Sequence, residues 1–253
     1  MPESSEIDHL HGLKVCISGS IPTREERLES DGDQNDILST VGKLASTILK
    51  SGGIVVHGSH PTFLPVIEAA ANDAFAKPNP AGIRMHYARR FYDESQTEMT
   101  WNEFQKIHER RATIVLAGET TTGRDAALDM LRNAMIADCD VLIAIGGRSH
   151  TANQQIRPGI DQEIELARKA GKPVIAIGWA GGQTRRFLES ICGETGILEI
   201  AGTRLRSIFE GNGLDDASNL TLMRGPSPDG DAPYSVAQAV AIVREGLARL
   251  AQR

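Results

Sequence analysis

The sequence is poor in cysteine. Cys16, Cys139 and Cys192 are the three in 253 residues. They show no close metal-ligand spacing, and an odd count does not suggest a disulfide framework. Two of them end apolar runs or sit inside them, so buried thiols are expected. Long apolar runs are missing too: none approaches the ~18 residues of a membrane helix. The opening stretch, MPESSEIDHL, is acidic and has no apolar signal core. A cytoplasmic protein without a membrane partner is expected. A basic excess is also lacking. The formal net charge of −6 argues against broad nucleic-acid binding, which needs a basic surface, and leaves room for a local anion pocket.

Several catalytic fingerprints are absent from the sequence. No G-x-G-x-x-G opens the first helical pattern, which argues against an ordinary dinucleotide-dependent dehydrogenase. No G-x-x-x-x-G-K-[ST] is present, which argues against a Walker ATPase. No G-x-S-x-G occurs, and HERRA (108–112) lacks the second histidine of a zinc-protease helix. Neither a metal site nor a cofactor is expected.

What remains is an ordinary globular composition, 40% apolar and 24% charged. Short apolar runs alternate with helical patterns. Strands are predicted over 13–20, 53–59, 83–92, 113–118, 141–147 and 172–178. Helices are predicted over 35–53, 62–75, 123–140, 161–171, 182–192 and 235–251. Asp36 is placed to cap the helix over 35–53, Gly52–Gly53 to end it, and Pro65 falls in the first turn of the next. Residues 93–111 read as a loop with a short helix. Residues 211–233, rich in Gly, Asp and Pro, read as a long surface loop. The loop 22–36 is polar and follows the first strand. Such alternation means a Rossmann-like α/β fold, an open and mainly parallel sheet with helices on both faces. No linker divides the chain, so a single domain over 1–253 is expected, with its core at about 13–192 and a C-terminal loop and helix over 193–253.

Ligands of open parallel sheets sit at the carboxyl ends of the strands. Here those ends are small or polar: Ser18-Gly19-Ser20, Gly58-Ser59-His60-Pro61-Thr62, Gly118-Glu119-Thr120, Gly146-Gly147-Arg148, and Gly178 with Gly181-Gly182. Glycine permits close backbone approach, and a following helix offers N–H groups to an anion. A phosphorylated small ligand is the expectation. Two stretches are more pointed. In Met130 to Arg148, Arg132 and Met135 lie three apart on a helix that feeds a buried strand. In Arg157 to Gly178, Pro158-Gly159 opens a helix, and Glu163 follows the glycine by four.

These stretches carry a resemblance. CISGSIP, GGIVVHGSHPTFLPVIEAA, the Arg132 helix before DVLIAIGG, and PGIDQEIELARKAGKPVIAIG resemble the SLOG superfamily over roughly 13–190. That superfamily includes the "lonely guy" phosphoribohydrolases and the DprA/Smf DNA-processing proteins. The first two loops look most like SLOG domains of bacterial defence and nucleotide signalling. The resemblance implies binding, as a sensor, of a nucleotide-derived ligand such as ADP-ribose, cyclic ADP-ribose or an NAD-related metabolite. It also implies a homodimer or higher homo-oligomer and an effector protein as partner. The alternative it implies is an N-glycosidic-bond enzyme, either a phosphoribohydrolase or resembling nucleoside 2-deoxyribosyltransferases. DprA-like nucleic-acid binding is the third reading, against which the acidic charge speaks.

The sequence departs from the phosphoribohydrolase pattern P-G-G-x-G-T-x-x-E. Gly159 and Glu163 keep the G-x-x-x-E spacing, but Ile160 replaces the threonine and the doubled glycine lies back at Gly146-Gly147. One basic residue, Arg132, stands near where those enzymes use an Arg–Lys pair.

Each candidate has two readings. Glu163 is a carboxylate for an N-glycosidic carbon or a ribose hydroxyl, or a residue favourable to the helix dipole. Arg132 pairs with phosphate, or with Asp129 or Asp138. His60 donates to phosphate or ribose, or is held by its turn. Ser18 and Ser20 are hydroxyl donors to phosphate. Arg148 and Arg157 clamp phosphate or are plain surface charge. Trp101 and Trp179 stack on a base or pack in the core, packing being preferred.

Overall fold

The computed structural model describes residues 9–28, 33–77, 79–90, 112–118, 123–149, 157–192, 212–224 and 236–253. Six strands form one sheet in the order β4-β3-β2-β1-β5-β6: β1 (Lys14–Ser20), β2 (Ile54–His57), β3 (Ile83–Ala88), β4 (Thr113–Ala117), β5 (Val141–Gly146) and β6 (Val174–Ile177). All five pairings are parallel, as the Rossmann-like reading expects. The order turns back between β1 and β5, and that switch opens a crevice at their carboxyl ends.

The helices among the described residues are α1 (Arg24–Leu28), α2 (Gln34–Lys50), α3 (Leu64–Ala74), α4 (Arg124–Asp138), α5 (Gly159–Lys169), α6 (Gly182–Cys192), α7 (Asp216–Arg224) and α8 (Val236–Ala251). Alternate strand residues face opposite layers. Val15, Ile17, Val55, Ile143 and Ile175 pack against α2, α3 and α8. Cys16, Val56, Leu142, Ala144 and Val174 pack against α4 and α5. Every residue of β5 and β6 is buried, because helices cover both faces. No described helix is long and apolar enough to cross a membrane.

The cap of α2 and two loops differ from the sequence reading, while α2 ends at Gly52–Gly53 as expected. The cap of α2 is Asp33, which accepts from Asn35 N–H at 2.6 Å; Asp36 lies inside the first turn. The helix closes on a Schellman arrangement, with Gly52 at φ 77° and N–H bonds from Gly52 to Leu49 O (3.2 Å) and Gly53 to Ile48 O (2.9 Å). The stretch 211–233 is not all loop. Asp215 accepts from Ser218 N–H at 2.7 Å and starts α7, which buries Leu222 and Met223. The burial of those two apolar residues outweighs the polar flanks that suggested a loop.

The loop over 22–36 also contains a helix. Thr23 and Glu26 form a capping box: Glu26 N–H donates to Thr23 Oγ1 at 3.3 Å, and Thr23 N–H to Glu26 at 2.8 Å. The other oxygen of Glu26 receives Ser149 N–H at 2.8 Å and the Ser149 hydroxyl. Burial opposes ionisation of this carboxyl, but the bonds from Ser149 and Thr23 outweigh it and hold the pKa below the usual value. The segment after β1 is thereby tied to the segment after β5, across the mouth of the crevice.

Candidate functional site

The crevice holds a cavity of about 240 Å³. Its walls come from the ends of β1, β2 and β5, the middle of α4 and the first turns of α5. Backbone fit builds the end of β1. Gly19 pairs with Ile145, and a Cβ there would stand 1.9 Å from the Ile145 carbonyl oxygen. Across from it, Gly147 N–H donates to Ser20 O at 2.8 Å, and Gly147 O accepts from Gln183 N–H at 2.9 Å. Gly146 and Gly147 hold φ of 65° and 86°, a region open to glycine without strain.

Glu163 sits in the second turn of α5 and is 8% exposed. The Ser18 hydroxyl donates to its Oε2, and Arg132 Nε lies 3.7 Å from its Oε1. Burial pushes the carboxyl pKa up, opposed by the Ser18 bond and the Arg132 charge. A carboxyl raised in this way is suited to acid–base work or to exchanging its serine donor for a ligand hydroxyl.

Arg132 reaches across from α4. Its Nη1 donates to Gln162 Oε1 and lies 3.4 Å from Asp129 Oδ1. Asp138, the other partner considered from sequence, pairs instead with Arg84, His86 and Lys14. Gly159 makes the reach possible: a Cβ there would meet Arg132 Nη2 at 2.8 Å. The guanidinium thus lies over the start of α5. Pro158 is the N-cap and supplies no side-chain bond, so the first N–H groups of α5 remain available to an anion.

The segment after β2 behaves differently from the phosphate cradle expected there. Phe63 and Leu64 N–H both donate to His60 O, at 3.1 and 3.0 Å, and Thr62 N–H donates to His60 Nδ1 at 3.3 Å. Pro61 has no N–H. The N–H donors of Thr62, Phe63 and Leu64 are therefore committed to His60. Burial, and then the nearby Arg148 charge, lower the His60 pKa, so its ring is neutral at pH 7. Ser59 takes φ 54° and is buried, with Oγ unpartnered among the described residues.

Of the residues singled out from sequence, the cavity brings together Ser18, Gly19, Ser20, Gly58, His60, Arg132, Gly147, Arg148, Gly159 and Glu163. Ser59, Pro61, Thr62, Gly146 and Pro158 stand next to it in the chain without lining it. Arg157 pairs with Glu165 at the surface. Trp179 is buried in the core, as the packing reading expects. Cys16 and Cys139 are buried thiols. Glu119, Thr120, Trp101 and residues 93–111 lie outside the described residues, as does the side chain of Cys192.

The cavity also includes Met135, singled out with Arg132, and the structure adds Ile17, Leu128, Leu131 and Ile160 as apolar walls and His57 as a polar one. The α4 residues were legible as the i, i+3, i+4, i+7 face that includes Arg132. His57 was hidden because it ends an apolar run and reads as strand. Among the described residues, no three His, Cys, Asp or Glu side chains cluster as a metal site.

Residues 117–210 match the sequence model of the STALD family, the Sir2- and TIR-associating SLOG family. Shorter stretches resemble the pyridoxal 5′-phosphate synthase subunit PdxT. One is 37% identical over 71 residues in Haloquadratum walsbyi, 28% of this chain and 35% of that protein. Another is 47% identical over 55 residues in Haloarcula marismortui, 21% of this chain and 28% of that protein. The matches span about a third of those relatives' length.

Solved structures with similar chains include TM1055 (18% identity, 70% of this chain and 81% of that one, TM-score 0.45). DNA processing protein A of Helicobacter pylori follows at 18% identity, 76% and 78% coverage and TM-score 0.45. The molybdenum cofactor carrier protein of Chlamydomonas reinhardtii has 16% identity, 79% and 99% coverage and TM-score 0.41. At these scores and identities the likenesses say nothing of activity. The family match spans the positions of Arg132, Gly147, Arg148, Gly159 and Glu163, and over residues 117–210 the chain is similar to the Sir2- and TIR-associating SLOG family.

Proposed function

We propose that the cavity binds a nucleotide-derived metabolite as a sensor site. The supporting observation is the convergence of Glu163, Ser18 and Arg132 with the uncapped start of α5 at the β1/β5 switch. Arg132 and Arg148 with the α5 N-terminus suit a phosphate. Glu163 and Ser18, deeper and buried, suit sugar hydroxyls. A volume of about 240 Å³ is below the ~300–1,000 Å³ of sites that enclose a drug-sized ligand. It fits a ribose phosphate, with the rest of an ADP-ribose, cyclic ADP-ribose or NAD-related molecule over the rim. The family's name associates it with Sir2 and TIR proteins, and an effector of that kind is the proposed partner of a homo-oligomeric sensor.

One observation favours a second reading. The raised pKa of Glu163 is what a general acid or base at an N-glycosidic bond requires. Incubation with AMP, NAD, ADP-ribose and cyclic ADP-ribose separates the two. Thermal shift reads binding, and mass spectrometry reads released base. Stabilisation without base release supports the sensor. Release abolished by Glu163→Gln supports the enzyme. Neither response from any compound sinks both.

A further inference from the structure

His57 is a buried polar group of the cavity that the sensor reading does not use. It ends β2, is 2% exposed, and lines the cavity between Ile17 and Gly58. Its Nδ1 stands 3.4 Å from Ile17 O. A carbonyl accepts, so Nδ1 carries the proton in that contact. Nε2 is left with a lone pair, buried and without a partner among the described residues. The ring is neutral at pH 7: burial pushes its pKa down to about 4, against the smaller opposing effect of the Ile17 and His60 carbonyls. A buried acceptor without a donor is costly in the free protein, and a ligand that supplies the donor recovers that cost on binding.

We propose that His57 Nε2 is a ligand-contacting, specificity-determining acceptor in the cavity wall, and that it takes a hydrogen bond from a ribose hydroxyl. Three features favour a sugar over the edge of a base. Glu163 offers acceptors in the same cavity, so the ligand must present more than one donor there. A sugar's hydroxyls do so, whereas a base edge alternates donors with acceptors. The arginine and helix-start donors lie in the same small volume, and the ribose is the group joined to the phosphate. A phosphate held by Arg132 and Arg148 only accepts, so it cannot supply the donor that Nε2 lacks. The proposal rests on the nucleotide-site reading above.

The test uses AMP, 2′-deoxy-AMP, 3′-deoxy-AMP and IMP, titrated calorimetrically into the full chain and into His57→Leu. In the wild type, one deoxy analogue is expected to bind about tenfold or more weakly than AMP. In His57→Leu that gap closes. The wild-type comparison needs no variant, and the ligand-free melting temperature of His57→Leu checks its fold. Imidazole 15N spectra of the ligand-free protein are expected to show His57 protonated at Nδ1, with the Nε2 resonance shifting when AMP is added.

If neither the 2′-deoxy nor the 3′-deoxy gap closes in His57→Leu, the proposal is overturned while the site reading stays intact. A ligand-free His57 protonated at Nε2 overturns it in the same way. Discrimination against IMP that depends on His57 assigns the contact to the base amine and overturns the ribose contact. A wild type that binds none of the four nucleotides overturns the proposal, and it overturns the site reading as well when NAD, ADP-ribose and cyclic ADP-ribose also fail to bind.

Discussion

At the amino ends of the strands, Asp138 closes α4 against two cations and a buried histidine. Arg84 Nε donates to it, His86 Nε2 stands at 2.9 Å and Lys14 Nζ at 3.4 Å. Burial opposes its ionisation, but Arg84 and His86 hold its pKa below the usual carboxylate range. Beside it, Lys172 Nζ donates to the carbonyls of Ile136, Ala137 and Cys139 and so finishes the same helix. At the carboxyl ends the balance is reversed. Glu163 has one arginine at 3.7 Å, its pKa is raised, and His57 Nε2 and Ser59 Oγ have no partner among the described residues. The difference separates two uses of buried charge. The fully paired carboxylate stabilises the fold, while the one with a single arginine, beside glycine backbone, is suited to a ligand; a buried ring nitrogen without a partner among the described residues occurs at both ends, His86 Nδ1 and His57 Nε2.

The largest expected effect breaks the scaffold beneath that difference. Gly19→Ala puts a methyl into the Ile145 carbonyl and is expected to cost about 4 kcal/mol or more, or to prevent folding, read by denaturant melts. Acid comes next. His57 has a folded pKa of about 4 against an unfolded value near 6.5. Its contribution is complete above pH 6.5 and is lost as pH falls through about 4, roughly 3 kcal/mol in all. Melts of His57→Leu are expected to lack that acid sensitivity. Asp138→Ala is expected to lower stability by about 2–3 kcal/mol without changing nucleotide affinity.

Glu163 has the opposite sign. Its folded pKa lies above the unfolded one, so its contribution is present below the unfolded pKa and lost as pH rises through the folded value. Glu163→Gln is therefore expected to leave stability at pH 7 unchanged or higher, while altering ligand binding or turnover. Equal destabilisation by Asp138→Ala and Glu163→Gln would erase the contrast between the two ends. The smallest effect on stability is expected from Gly159→Ala. The methyl displaces the mobile tip of Arg132, so melting is nearly unchanged while AMP binds about tenfold more weakly.

Much of the fold was legible because β5 and β6 are apolar on both faces, which only a covered parallel sheet explains. Ends of elements were less legible. Asp33 and Asp36 are equally good caps in composition, and only the chain's path at the start of α2 chooses between them. Helix α7 was missed because its short apolar pair, Leu222 and Met223, lies among Gly, Asp and Pro. The capping box of Thr23 and Glu26 was present in the sequence as T-x-x-E, without the apolar run that gives such a pattern weight. In the site, Glu163 and Arg132 stood out through their spacing and resemblance. His57 did not, because a histidine at the end of a strand carries no pattern. The engagement of the N–H groups after Pro61 by His60 is not legible in the sequence, because it depends on turn geometry.

The most direct measurement is calorimetric titration of ADP-ribose into the wild-type chain and into Arg132→Ala. Arg132→Ala, folded by its melt, is expected to bind at least about tenfold more weakly, because the phosphate loses a guanidinium fork. Equal affinity in the two proteins, or no binding to the wild type, would contradict a phosphate held at the start of α5.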